Sequence, residues 1–513
     1  MSTIQRIRWD DWRGGDRGHL SMREAGRRQP FRYDAENLVF DERQEALVYR
    51  TGADHLVTFA ASSGDTHVGM GWAGIPGAEL WVALRDNASG NVEVHLVNVG
   101  TGAATLISTV GPMPLGGVVS GVWMPAGVSY LTIPSVGLFK LNHLTATLTL
   151  IEGTLGGWAI AHYGDRLYVG GNVGGVLNRV RFSDALNMDA YPALNYFDVG
   201  AGQQVRFLAA QRGHLTIALE DGTWWVLNGL ANSGGVLRRV SGGGQAPWQF
   251  YPTQAVVRGD DVVTFIPILR DYPATFNGAV VEVEDERSID DDDLGQPGGA
   301  ATRYTVVRLV DPDEVSFRSG ASPERILVNR RGAWTRQRLG APASTPFMAS
   351  DDQGWLYLAG TEGADQAVYR ISFGDIEPGE STTPLRPLVD ATGAATSAAA
   401  HECFLTLPEW WHPDGADVTV RSVTVEVRGW GASRPAPALA CQTKALGRAD
   451  VGEAVSAVTT RALPQFDGVR SVTFGFGEQG AGRGCQVLVS AIRHLSILSV
   501  TADVAVDPPR QGR

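Results

Sequence analysis

The chain has 513 residues, 43% of them hydrophobic and 19% charged, with 63 glycines and a formal net charge of −12. A chain this long and this apolar buries a large core in two or three domains, and global disorder is excluded. The acidic balance argues against a protein that grips nucleic acid through its phosphates, though not against one that nucleic acid passes by.

The three cysteines, Cys403, Cys441 and Cys485, are far apart and make no CxxC pair, which speaks against a zinc site or a disulfide framework. The N-terminal run MSTIQRIRWDDWRGGDRGHL has no apolar centre of the kind that marks a secretory signal. The longest apolar candidate, Val487 to Val506, is broken by Arg493 and His494, so no membrane-spanning segment is expected. The expectation is a chain that folds in a cytoplasm.

Residues 1–36 read as an extended arm. Trp9, Trp12 and Phe31 sit among arginines and acids in a segment too short to form a core of its own. Aromatics so placed dock on a partner surface; a disordered tail is the alternative.

From residue 37 to 376 a hairpin grammar repeats. Segments beginning at Gly77, Ala126, Tyr163, Arg212, Arg258 and Asp352 each give a turn, an alternating apolar run, a second turn and a second run. The stretch from Pro312 to Arg338 adds a poorer copy. Recurrence of β-hairpins at this spacing, without helical periodicity, predicts an all-β chain containing a six- or seven-bladed β-propeller. An array of β-sandwiches is the alternative. Asn37 to Phe59 is expected to complete the last blade beside strands near Phe373.

The pattern fails between Gly374 and Ala400, and 377–399 is assigned as a linker. Strict alternation returns in DVTVRSVTVEVRGWG, VRSVTFGFG and CQVLVSAIRHLSILSVTADVAV. Residues 400–513 are therefore expected to form a β-sandwich of jelly-roll type.

The chemistry-bearing motifs are weak. GFGEQG, Gly475 to Gly480, fits a dinucleotide loop by letter but has no helix after it, so it reads as a glycine hairpin. Ser350, Asp352 and Gly354 approach the Asp-box turn of sialidase-like propellers, and the match ends at Leu356 and Tyr357. Asp290 to Asp293 are contiguous rather than alternating, which suits a solvated loop better than a calcium site. No HExxH and no GxSxG occurs. Trp410, Trp411 and Trp430 suit either a sugar platform or a sandwich core. A pair of carboxylates drawn from separate blades is not identifiable from one sequence. No catalytic residue, cofactor or metal is expected.

One stretch is more specific. Asn178, Arg179, Val180, Phe182, Ser183 and Asp184 form an NRVxFSD element. Tyr191, Pro192, Asn195, Tyr196, Phe197, Asp198, Val199 and Gly200 form a YPxxNYFDVG element, and a strand ending at Trp225-Val226-Leu227 follows. This arrangement resembles the tail nozzle, tubular and head-stabilising proteins of short-tailed bacteriophages, and related minor tail proteins. The resemblance implies a structural virion tail protein that forms a ring of copies, usually hexameric, around the DNA exit channel. It implies other tail or portal-adaptor proteins as partners, with DNA passing without specific binding, and no enzyme. The alternative is a receptor- or glycan-binding tail protein contacting host surface glycan, or a propeller glycosidase. Asn and Asp in such a stretch fix a long loop through local hydrogen bonds, and Tyr and Pro stiffen it. The loop is expected to be a shaped connection used for packing or subunit contact.

Overall fold

The computed structural model describes residues 3–10, 34–41, 46–49, 54–74, 79–240, 256–283, 304–338, 345–372, 402–430, 438–446, 454–476 and 482–507, with short breaks inside these ranges. Among the described residues every regular element is a β-strand except one 3-10 turn, Gly153–Leu155. The chain is all-β. It divides into two compact units, each assembled from separated segments: 1–52, 327–340 and 375–513 in one, 53–326 and 341–374 in the other.

The first unit begins with β1 (Thr3–Trp9), β2 (Asp34–Glu36), β3 (Leu38–Asp41) and β4 (Ala46–Tyr49). The second opens with β5 (Asp54–Thr58) and then lays down antiparallel sheets in chain order. These are β6 (Asp65–Trp72), β7 (Glu79–Asp86), β8 (Val92–Asn98) and β9 (Ala103–Val110), then β10 (Ser120–Met124), β11 (Val128–Ile133), β12 (Gly137–Asn142) and β13 (Thr147–Glu152). The third sheet is β14 (Ala159–Tyr163), β15 (Arg166–Gly170), β16 (Arg179–Phe182) and β17 (Tyr196–Asp198). The fourth is β18 (Val205–Gln211), β19 (His214–Leu219), β20 (Trp224–Asn228) and β21 (Val236–Arg239). The fifth is β22 (Val256–Arg258), β23 (Asp261–Pro267), β24 (Asp271–Phe276) and β25 (Val281–Val283).

β26 (Tyr304–Leu309) and β27 (Glu314–Ser319) make the next hairpin, followed by β28 (Arg325–Arg330) and by β29 (Ala333–Arg338), which belongs to the first unit. The second unit ends with β30 (Met348–Ser350), β31 (Trp355–Glu362) and β32 (Asp365–Ser372). β5 supplies their fourth strand, in register Val57↔Val368 and Thr58↔Ala367. Among the described residues of the Asn37–Phe59 stretch, β5 is the one strand that pairs there; β3 and β4 lie in the other unit.

Burial explains why these sequences read as they do. The second strands β7, β11, β15, β19 and β31 are buried along nearly their whole length and are largely apolar, as strands covered on both faces must be. The fourth strands β9, β13 and β21 are largely exposed and mix polar residues with exposed apolar ones such as Leu106, Leu150 and Val236. The first strands β6, β10, β14, β18, β22, β26 and β30 each lie against the first strands of their neighbours, and β30 lies against β6, so the series closes on itself. Core side chains form layers between consecutive sheets, with Trp81, Val94, Leu131 and Phe139 in one and Tyr168, Phe182, Leu215 and Leu227 in another. Each fully buried large apolar side chain contributes about 1.5–3 kcal/mol. Gly71 and Gly121 make room for Trp81: a Cβ at either would sit 2.6 Å from its indole.

Turn chemistry recurs as well. β8 and β12 both end in asparagine, and the side-chain oxygens of Asn98 and Asn142 each accept the amides two and three residues on, at 3.0–3.1 Å.

The first unit is completed by β33 (Glu402–Thr406), β34 (Trp410–Trp411), β35 (Val418–Trp430), β36 (Ala438–Leu446), β37 (Ala454–Val455), β38 (Thr459–Ala462), β39 (Asp467–Gly475), β40 (Gly484–Ile492) and β41 (Ser496–Val506). One sheet runs β3-β4-β41-β35-β39, with β1 also paired to β41. The other runs β29-β2-β33-β40-β36, with β34 on β40 and β37 and β38 on β36. A single core draws on both, with Val423, Val425, Val500 and Ala502 from the first and Leu405, Leu439, Val487 and Val489 from the second. Residues 377–399, assigned above as a linker, lie outside the described residues.

Candidate functional site

The stretch from Asn178 to Gly200 forms β16, β17 and the loop between them. Arg179 and Asp198 are direct cross-strand partners and meet in a two-pronged ion pair at 2.8 and 3.0 Å. The Arg179 guanidinium also lies 4.1 Å from the centre of the Tyr196 ring. Both charged side chains keep substantial exposure, 26% and 43%, so the pair adds less than about 1 kcal/mol. At the far end Asn178 Nδ2 donates to the carbonyls of Val199 and Gly200 at 3.1 and 3.3 Å. Gly200 has φ of +62°, and a Cβ there would lie 2.9 Å from Leu219 Cδ1.

The loop itself is fixed from inside. Ser183 is fully buried; its Oγ accepts the Leu167 amide at 3.0 Å and donates to the Asp184 carbonyl at 3.2 Å. Its carbonyl accepts from Arg166 at 2.6 Å. Asp184 Oδ1 accepts from Asn195 Nδ2 at 3.2 Å, while the Asn195 carbonyl accepts the Phe182 amide at 3.0 Å. Arg181 donates to the carbonyls of Tyr191 and Pro192 at 2.5 and 3.2 Å. The polar residues of the motif thus serve mainly as partners for loop backbone that has no ladder to join.

The loop also reaches back to the preceding sheet. Met188 and Tyr191 pack on a cluster formed by Tyr130, Leu138, Leu155, Ile160 and Leu167, which spans the second and third sheets. Asp189 accepts from Tyr130 Oη of β11 and from Lys140 Nζ of β12, both at 2.6 Å. Burial, then the Asp189 carboxylate, raises the Tyr130 hydroxyl pKa above its ordinary value. Asp189 was not among the sequence candidates. The signal that points to it is its partner, since Lys140 is one of only two lysines in the chain.

The arm residues divide. Trp9 is 5% exposed, sits in the core of the first unit and is carried by β1, opposite Val500 of β41. Trp12 and Phe31 lie outside the described residues.

Several other groups bear on chemistry. Ser129 Oγ is 2.9 Å from His143 Nε2, and His143 Nδ1 is 3.9 Å from a Glu79 oxygen, an alignment of nucleophile, base and acid types. Ser129 has no exposed surface, however, and burial pushes His143 down to about 4. A substrate carbonyl cannot reach this serine, so the trio is an internal polar contact.

In the turn before β31, Asp351 accepts the Trp355 amide at 2.8 Å and the Tyr357 hydroxyl at 2.9 Å; Asp352 lies outside the described residues. Trp410 and Trp411 are half-buried, the latter donating to Glu409 at 3.0 Å. The Trp430 side chain, Asp290 to Asp293 and the Gly477–Gly480 part of GFGEQG fall outside the described residues. Burial pushes the Cys441 and Cys485 thiols up to about 12, which leaves both unreactive as nucleophiles. Among the described residues no group of three or more His, Cys, Asp or Glu is placed to hold a metal ion. No helix among them is long and apolar enough to cross a membrane.

No protein-family model matches the chain, and no curated protein matches it. Among solved structures it is similar to the crystal structure of the computationally designed Ika8 protein. That likeness has 13% identity and a TM-score of 0.36, over 62% of this chain and 99% of that one.

Proposed function

We propose that this chain is a structural component of a bacteriophage virion tail, a seven-bladed β-propeller with a β-sandwich. In this reading it assembles with copies of itself, as a hexamer by resemblance, into a ring around the DNA exit channel beside other tail or portal-adaptor proteins. The propeller assignment is supported by the closed series of seven first strands and by β5 completing the last sheet. The sandwich assignment is supported by one core drawing on two sheets.

The observation that carries the functional reading is the geometry of the Asn178–Gly200 stretch, on which the resemblance rests. Its polar side chains hold backbone, and its Asp189 ties neighbouring sheets together. This is the work of a protein whose shape is its function, and the same residues present no nucleophile paired with an accessible base. The net charge of −12 suits a surface along which a polyanion slides without salt-dependent sticking. The protein is not an enzyme in this reading, and its place is the virion tail.

Mass spectrometry of purified particles tests it. The chain should be present in a small fixed copy number relative to the portal. Its absence from washed particles would sink the proposal.

A further inference from the structure

β1 joins the first unit along the edge of β41, in register from Thr3↔Val506 to Trp9↔Val500. Little besides this ladder holds it. Its residues are exposed or half-buried except Trp9, which is 5% exposed and sits in the core of the unit. Ile7 packs against that core, while Ile4 stands 68% exposed. Arg6 meets Asp503 at 2.8 Å and Arg8 lies 3.8 Å from Glu426, and both pairs are open enough to solvent to add little. Lifting β1 away therefore takes one fully packed side chain out of the unit, and elements so lightly held are the first to open.

Three features suit this strand to a second copy of the chain. Between Thr3 and Trp9 the charges are Arg6 and Arg8 alone, while the seat presents Asp503 and Glu426. In a chain of net charge −12, copies repel over most of their surface, and a cationic strand aimed at an acidic edge reverses that locally. The second feature is reach. Residues 11–33 separate Asp10 from the start of β2 at Asp34, and a stretch of that length spans at most roughly 80 Å, enough to bridge to the seat of an adjacent copy. The third is the seat itself. Without β1, Val500 to Val506 is an open and mostly apolar edge, of the kind that recruits another strand. A strand exchanged between identical copies makes the same contacts in either seat, so little opposes the exchange.

We propose that β1 is exchanged between copies: the strand of one chain pairs with β41 of a second and seats its Trp9 in that copy's core. Each copy then gives one strand and receives one, a head-to-tail contact that closes into a ring when the rotation allows. The inference deepens the reading of the chain as a self-assembling protein and rests on it for the presence of neighbouring copies. Its own content is which residues join them.

The test uses full chains carrying Arg6→Cys or Asp503→Cys, which replace cross-strand partners at the protein surface. Co-expressed and oxidised, the two variants should give a two-chain product on a non-reducing gel, with a disulfide between positions 6 and 503 identified by mass spectrometry. A chain carrying both substitutions should give products of three or more chains. The wild-type chain, whose Cys441 and Cys485 are buried, is the control. Trp9→Ala in the Arg6→Cys chain should cut the two-chain product at least about tenfold. Both cysteine positions are exposed enough to spare the fold, and a thermal melt of each variant confirms it. Disulfides formed only within single chains, no disulfide between positions 6 and 503, or a two-chain product indifferent to Trp9→Ala would each overturn the exchange. Absence of the chain from particles would sink the tail assignment and leave the cross-link standing. Internal disulfides alone, in a chain that is present in particles, would sink the exchange and leave the tail assignment standing.

Discussion

Replacing Asp189 by alanine removes the one carboxylate that joins the 183–195 loop to β11 and β12. The two contacts differ in worth. Lys140 and Asp189 keep 31% and 41% exposure, so their ion pair is screened and contributes about 0.2–1 kcal/mol. Tyr130 is only 5% exposed, and its 2.6 Å bond to a charged acceptor belongs to the class worth about 1.5–3 kcal/mol. Asp189→Ala should therefore lower the free energy of local opening by about 2 kcal/mol, most of it through Tyr130.

Hydrogen exchange read by mass spectrometry on peptides covering 183–195 is the assay. A loss of about 2 kcal/mol speeds exchange roughly 25-fold. Tyr130→Phe combined with Asp189→Ala should show a coupling of about 1 kcal/mol or more, and Lys140→Ala with Asp189→Ala less than about 0.5. Unchanged exchange in Asp189→Ala, or a lysine coupling as large as the tyrosine coupling, would refute the view that this loop latches two sheets.

Other outcomes follow from the same structure. Gly200→Ala should cost about 1–2 kcal/mol in thermal denaturation, because φ is +62° and Leu219 occupies the space a Cβ would need. Burial lowers the folded-state values of His67 and His143 from an ordinary 6.5 to about 4. Their contributions are then fully present above about pH 6.5 and are lost as pH falls towards 4, on the order of 3 kcal/mol each. Asp65 runs the other way: burial, then Glu93 and Asp86, raises its carboxyl to about 6, so its contribution is present below about 3.8 and is lost as pH rises through 6. Two histidines against one carboxyl predict net destabilisation between pH 6.5 and 4 in denaturant titrations, and a flat profile there would contradict the burial argument. Ser129 should resist labelling by a fluorophosphonate at any pH where the chain stays folded; covalent labelling would reopen the hydrolase question.

The strand content was legible because buried strands advertise themselves. Runs such as LWVAL in β7 and LTIAL in β19 are apolar on both faces since both faces meet another sheet. Pairing between distant segments was less legible. Nothing in Leu38 to Tyr49 distinguishes strands bound for β41 from a strand bound for β32, because register across hundreds of residues is set by packing rather than by local pattern. Likewise Trp9 read as a docking anchor, yet the structure gives it a place in its own unit's core beside β41.

At the 178–200 site, the Asn, Asp and Pro residues announced a fixed loop. Its most consequential acid, Asp189, looked like any loop aspartate until Tyr130 and Lys140 were brought beside it. A cavity lined by Trp72, Trp123, Trp158 and Arg206 had no sequence signature, because these residues come from four separate sheets or the turns before them and meet only through contacts among the first strands.

The central claim, that this is a ring-forming structural protein of a phage tail, is met most directly by electron cryomicroscopy of purified particles. Discs of seven radiating sheets are expected, repeated around the tail axis below the portal, each disc accommodating the second unit of one copy. Particles whose tail density has no place for such discs, or that carry this chain only on the capsid shell, would contradict it.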